Sequence, residues 1–140
     1  MGKLTGSLDI LINWFTRKNE RHNRALSNII NLTGYIEEFL AKYRLQEKSS
    51  DFRLIFDNIE QARLDVVTIT YQSRTRIKMA KDIKGKDLPP LLEEVHNELM
   101  EVKKALFNPT PSTIVLGNGV FKLHESFKTL LDAISGIEYK

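Results

Sequence analysis

The sequence predicts an all-α protein: a long antiparallel helical hairpin plus two shorter helices, of the four-helix-bundle type. Three observations carry that expectation. Between Ser7 and Lys84 the only glycine is Gly34 and there is no proline, so the chain has few places to turn. Apolar residues recur at steps of three and four along most of its length. All four prolines, Pro89, Pro90, Pro109 and Pro111, bracket a third segment.

The first helix is expected over about residues 7–45, where Leu8, Leu11, Ile12, Phe15, His22, Ala25, Leu26, Ile29, Leu32, Ile36, Phe39, Leu40 and Tyr43 form one face. Ser7 is a candidate cap, and Asp9 in the first turn suits the positive helix end. A second helix over 51–84 comes after the capping cluster Ser49, Ser50 and Asp51, and closes at Gly85. Its β-branched cluster, Val66 to Thr70, lies inside a helical period that continues on both sides. The third helix spans 89–107, with Asp87 before it, prolines in its first turn and Asn108-Pro109 after it. A fourth, over 119–136, comes after Asn118-Gly119; residues 112–116 suit either an extended connector or an early helical turn.

Lengths suggest an assembly. The first two helices would run roughly 58 Å and 51 Å, the last two roughly 27 Å each. The short connection at 46–50 pairs Tyr43 with Phe52, which sets position 21 opposite about 74. The short helices then cover only the half of the hairpin nearest residue 7. The other half presents Ile36, Phe39, Tyr43, Phe52 and Phe56, a patch larger than monomers usually expose. A homodimer interface built on these five residues is the expectation; the alternative is a break of the first helix within Arg17–Arg24, disfavoured because no glycine or proline sits there.

With 140 residues, no cysteine and 28% charged residues, the chain reads as one globular domain, 1–140, without disulfides or thiolate metal sites. No apolar run has the length of a membrane span, so a cytoplasmic protein without a transmembrane segment is expected.

The net charge of +3 conceals two basic segments. Residues 17–24 hold Arg17, Lys18, Arg21 and Arg24 against Glu20; residues 72–86 hold Arg74, Arg76, Lys78, Lys81, Lys84 and Lys86 against Asp82. The expected register brings them to one level as a basic patch, suited to a phosphate backbone, an anionic lipid or an acidic partner. Glu93, Glu94, Glu98 and Glu101 of the third helix could instead neutralise it internally.

Arg17 and His22 have the Arg-x4-His spacing, which resembles that of the HEPN ribonucleases, helical bundles that dimerise to pair their motifs. The resemblance implies a histidine for proton transfer and an arginine for the scissile phosphate; the plainer expectation is a polar layer within a long helix. Glu93-x-x-His96 is half of a di-iron carboxylate pattern with no second copy. No metal ligand set, cofactor motif, phosphate-cradling glycine loop or serine-nucleophile elbow is present. Near residue 7, the broad arc of Leu8, Ile10, Leu11, Ile12, Trp14 and Phe15 before Arg17 and Lys18 resembles an interfacial membrane helix, although core packing is the commoner use of such an arc.

The sequence therefore points to a non-enzymatic scaffold or adaptor, self-associating, that docks a protein or polyanion. The alternative is a nucleic-acid-acting protein, either an RNA or DNA binder or a HEPN-like, metal-independent ribonuclease.

Overall fold

The computed structural model describes residues 2–46 and 51–140, with side chains from Asp9 onward. The helices are α1 (Gly2–Lys42), α2 (Arg53–Asp57), α3 (Ile59–Ala80), α4 (Pro89–Phe107) and α5 (Thr113–Ser135). The described residues contain no strand, and the architecture is all-α. Helices α1, α3, α4 and α5 alternate in direction around one core. Its centre is made by Leu26, Ile29, Leu32, Ile36, Val66, Leu92, Val95, Leu99, Leu116 and Leu123, each excluded from solvent.

The first helix is unbroken but ends at Lys42, not 45. Arg44 adopts a left-handed backbone (φ 51°), and the Leu45 N–H donates to the Leu40 carbonyl at 2.8 Å. This is the six-to-one closure that usually falls to glycine, so no glycine marks the stop. At its other end α1 begins at Gly2, which places Ser7 inside the helix; the Ser7 side chain, like Ser49 and Ser50, lies outside the described residues.

The helix expected over 51–84 is two helices. It breaks at Asn58, whose side-chain amide donates to the Leu54 carbonyl (2.8 Å) and whose backbone N–H turns to Ile55 (3.2 Å). The break lets Phe52 and Ile55 bury themselves, with the Phe52 ring against Gly117 of α5. α3 then ends at Ala80 rather than 84, and Gly85 (φ 103°) takes the left-handed turn toward α4.

The last helix starts at Thr113, not 119, capped by Ser112, whose hydroxyl accepts from the Val115 N–H. Gly119 is a helix–helix contact rather than a boundary. A Cβ at Gly119 would stand 3.3 Å from Val102, so glycine there lets α4 and α5 approach closely.

These changes move the register. Lys42 and Tyr43 meet Asp65, Asn28 meets Arg76 and His22 meets Lys84. Each α1 residue thus faces a point about three helical turns further along the second strand of the hairpin than expected. The cause is the stretch 43–58, which α2 and two irregular connections consume. α3, at 22 residues, consequently spans only about 33 Å against about 61 Å for α1.

The covered and bare halves of α1 are therefore exchanged. The shorter helices cover the half ending at Lys42, and the half before His22 projects beyond the bundle. Ile36, Phe39, Tyr43 and Phe52 are buried within the chain, with Phe56 partly buried against the same core. The expected dimer interface is not available on these residues, because the chain's own helices already enclose them.

Candidate functional site

α1 passes from exposed to buried at His22. From Asp9 to Arg21 every described side chain is exposed except half-buried Asn19, whereas His22 is fully enclosed. The Lys84 N–H donates to His22 Nδ1 at 2.9 Å. That fixes the proton on Nε2, which donates to the Glu138 carbonyl at 2.8 Å. Beside it, Asn23 accepts from the Lys140 N–H (2.7 Å), and Ser27 lies 3.2 Å from the Tyr139 hydroxyl. His22 thus ties α1 to the α3–α4 turn and to residues 136–140. Both ring nitrogens are committed to backbone groups, so it has no free nitrogen for proton transfer to RNA. Exposed Arg17 lies beyond the bundle, and the two do not share a cleft.

The other histidines are also hydrogen-bonded within the bundle. His124 Nε2 donates to the Leu45 carbonyl at 2.8 Å, closing the opposite end of the bundle. His96 Nδ1 lies 2.6 Å from Ser73 Oγ, which itself donates to the Thr70 carbonyl at 2.8 Å. Burial, aided by the nearby Arg74 charge, holds the His96 imidazole below its ordinary range. The pair has a nucleophile and a base, but Ser73 is fully buried and its hydrogen is already directed at a carbonyl. Among the described residues no group of three or more histidine, aspartate or glutamate side chains is arranged to hold a metal.

The basic residues of 17–24 are exposed on α1 around His22. Arg17, Arg21 and Arg24 succeed one another at helical spacing and continue into Asn28, whose carbonyl accepts from Arg76 Nε at 3.4 Å. This stripe therefore lies on the side of α1 turned toward α3. Lys18 sits 4.1 Å above the Trp14 ring. Lys78 and Lys81 end α3, and the His22–Lys84 bond carries Lys84 to the base of the projecting arm. Arg74 stands apart, about two turns further along α3, beside His96. The expected single patch of Arg17, Arg21, Arg74 and Lys78 does not form. Arg17, Lys18, Arg21 and Arg24 are instead exposed on α1 up to the point where it meets the bundle, near Lys84.

The α4 glutamates do not neutralise these cations. Among the described residues the ion pairs are Lys42–Asp65, Arg53–Asp51, Arg63–Glu60 and Lys104–Glu101. None involves Arg17, Lys18, Arg21, Arg24, Arg74, Arg76, Lys78 or Lys81. Glu98 turns inward toward α5; burial pushes its carboxyl up against the opposing pull of Lys122, and its Oε2 has no hydrogen-bond partner.

A polar network marks the far half of the α1–α3 interface. Asp65 accepts from Lys42 (2.8 Å), from the Tyr43 hydroxyl (2.6 Å) and from Gln61 (2.9 Å). Burial, together with its bond to Asp65, raises the Tyr43 hydroxyl to about 12. Burial works to raise Asp65 as well, but the bonds from Lys42, Tyr43 and Gln61 outweigh it and hold the carboxyl below its ordinary value. The Asp65 contribution to stability is thus present above about pH 4 and fades as the carboxyl protonates; that of Tyr43 is present below about pH 10 and fades toward 12. Tyr43→Phe should cost about 1.5 kcal/mol near neutrality, with the difference shrinking at both extremes. Urea unfolding of both proteins across pH checks this, and a difference unchanged at high pH would refute the assignment.

The sequence displayed the charge and the apolar arc, but not where α1 leaves the bundle. Only the partners of His22, far away in sequence, define that point. Compared with family models, curated proteins and solved structures, the chain matches none, and its own residues carry the functional reading.

Proposed function

We propose that the protein is a non-enzymatic helical interaction module that docks a polyanionic partner at the basic end of its bundle. The observation that carries this reading is the absence, among the described residues, of any ion pair to Arg17, Arg21, Arg24, Lys78 or Lys81. Like charges gathered without partners repel one another, and a bound anion relieves that repulsion. Self-association through Ile36, Phe39, Tyr43, Phe52 and Phe56 plays no part in the proposal, because the fold buries the first four and partly buries Phe56.

Heparin binding provides the test. Affinity should fall by roughly 0.7–0.9 log unit per phosphate-like contact for each log unit of salt. Arg21→Glu and Lys81→Glu should each weaken it while leaving the melting temperature unchanged or raised. Absence of binding at low salt, with both reversals lowering the melting temperature, would instead reveal an internally satisfied network. The nucleic-acid alternative draws on a separate feature: exposed Tyr71 stands with Arg74, His96 and Lys103 around a groove of about 220 Å³, a stacking surface beside cations. A preference for single-stranded RNA over heparin that Tyr71→Ala removes would favour it.

A further inference from the structure

The projecting part of α1 carries a run of exposed large apolar side chains. Ile10 is 70% exposed, Leu11 54%, Ile12 59%, Trp14 49% and Phe15 56%. Helical spacing gathers these five over more than half of the circumference, with Asp9, Asn13, Thr16 and Glu20 on the remainder. The apolar face is the core stripe of α1 continued past the point where α3, α4 and α5 stop. A residue-by-residue rise of about 1.5 Å makes the arm before His22 about 30 Å long.

The cations next to the apolar stretch identify its occupant. Ile10, Trp14, Arg17, Arg21 and Arg24 succeed one another along one edge of α1 at steps of three and four. Lys18 continues the apolar face itself, with its ammonium above Trp14. The bundle end behind the arm adds Lys81, Lys84 and Lys86, with Asp82 and Asp87 in partial opposition. Apolar and aromatic residues at the tip, tryptophan at the boundary and cations behind it match the depth profile of an anionic lipid surface: acyl chains, interface, headgroups. A second copy of the chain fits less well. Arms side by side in parallel would bring two unpaired basic ends together, and Lys18 would interrupt the apolar seam in either orientation.

We propose that the projecting arm of α1 docks on an anionic lipid bilayer, seating Ile10, Leu11, Ile12, Trp14 and Phe15 in the interface while Arg17, Lys18, Arg21 and Arg24 contact phosphate-bearing headgroups. The arm lies in the interface and does not span it: no helix among the described residues is long and apolar enough to cross a membrane. The proposal rests on the polyanion reading and names the partner class.

Trp14 is the only tryptophan of the chain, so its fluorescence reports the arm alone. With vesicles of equal parts phosphatidylcholine and phosphatidylserine, its emission should shift to the blue and the protein should sediment with the lipid. Pure phosphatidylcholine vesicles should bind far more weakly, and added salt should release the protein. Leu11→Ser and Phe15→Ser should each weaken binding about tenfold, and Arg21→Glu at least about fivefold. Because these residues are exposed, circular dichroism and melting should be unchanged. Absence of both the shift and co-sedimentation would overturn the proposal. So would equal binding to both vesicle types, or a Trp14 emission already blue-shifted in buffer that reddens on dilution, which would assign the arm to a second copy. If heparin binds while vesicles do not, only the lipid assignment falls; if neither binds, the polyanion reading falls with it.

Discussion

Phe39→Asp should unfold the chain at every protein concentration. Phe39 is 2% exposed and stacks edge-on against Tyr43, with ring centroids 5.3 Å apart. Loss of a buried phenyl ring alone costs about 3–5 kcal/mol, and an unpaired carboxylate in its place adds several more. That sum reaches the whole stability of an ordinary domain, about 5–15 kcal/mol. Circular dichroism should show a collapsed helical signal, and sedimentation an expanded monomer. A folded variant of half the wild-type mass would return Phe39 to an interface between copies and contradict its enclosure within one chain.

The second large effect belongs to His22. His22→Ala would remove the fully buried ring and leave the Lys84 N–H and the Glu138 carbonyl, whose bonds to it are partly buried, without their imidazole partner. Water reaches these partly buried groups, so each lost bond costs about 1 kcal/mol, and the vacated ring leaves a cavity besides. A loss of about 2–4 kcal/mol is expected, read by thermal or urea unfolding. Amide exchange of Lys84 should accelerate more than that of Val95 or Leu99 in the core, because the bond lost is local. A variant that melts with the wild type would show that the imidazole does not tie the bundle end.

The sequence made the helical class and α4 legible for identifiable reasons. Leu88, Pro89 and Pro90 open α4, and Asn108-Pro109 closes it, so both of its ends carry strong local signals. The register of the hairpin was not legible, because two turns lack such signals. Arg44 takes a left-handed conformation that glycine normally marks, and Asn58 breaks a continuing apolar period with neither glycine nor proline present. Conversely, Asn118-Gly119 suggested a boundary where the chain uses Gly119 for close packing. The error at the hairpin turn propagated along about three turns of helix. It carried Ile36, Phe39, Tyr43 and Phe52 from core to supposed surface, and moved the arm from supposed core to solvent. Of the candidate site, the charges were visible from composition, whereas their lack of partners depends on where α4 directs Glu93, Glu94, Glu98 and Glu101.

The bond between His22 and Glu138 joins residues 116 apart in sequence, which has a consequence for biosynthesis. The carbonyl that accepts the imidazole hydrogen bond leaves the ribosome only after α3, α4 and α5, whose whole translation α1 has had in which to form. Until then the Nε2 of His22 lacks its Glu138 partner, and the base of the arm lacks the segment that seals it. Closing so long a loop is entropically costly and slow compared with joining neighbouring helices. The bundle should therefore assemble around α3 and α4 first, with the root of α1 locked only after residues 136–140 emerge. The nascent chain consequently presents the apolar stripe of α1 longer than that of any other helix, at the stage when ribosome-associated chaperones meet it.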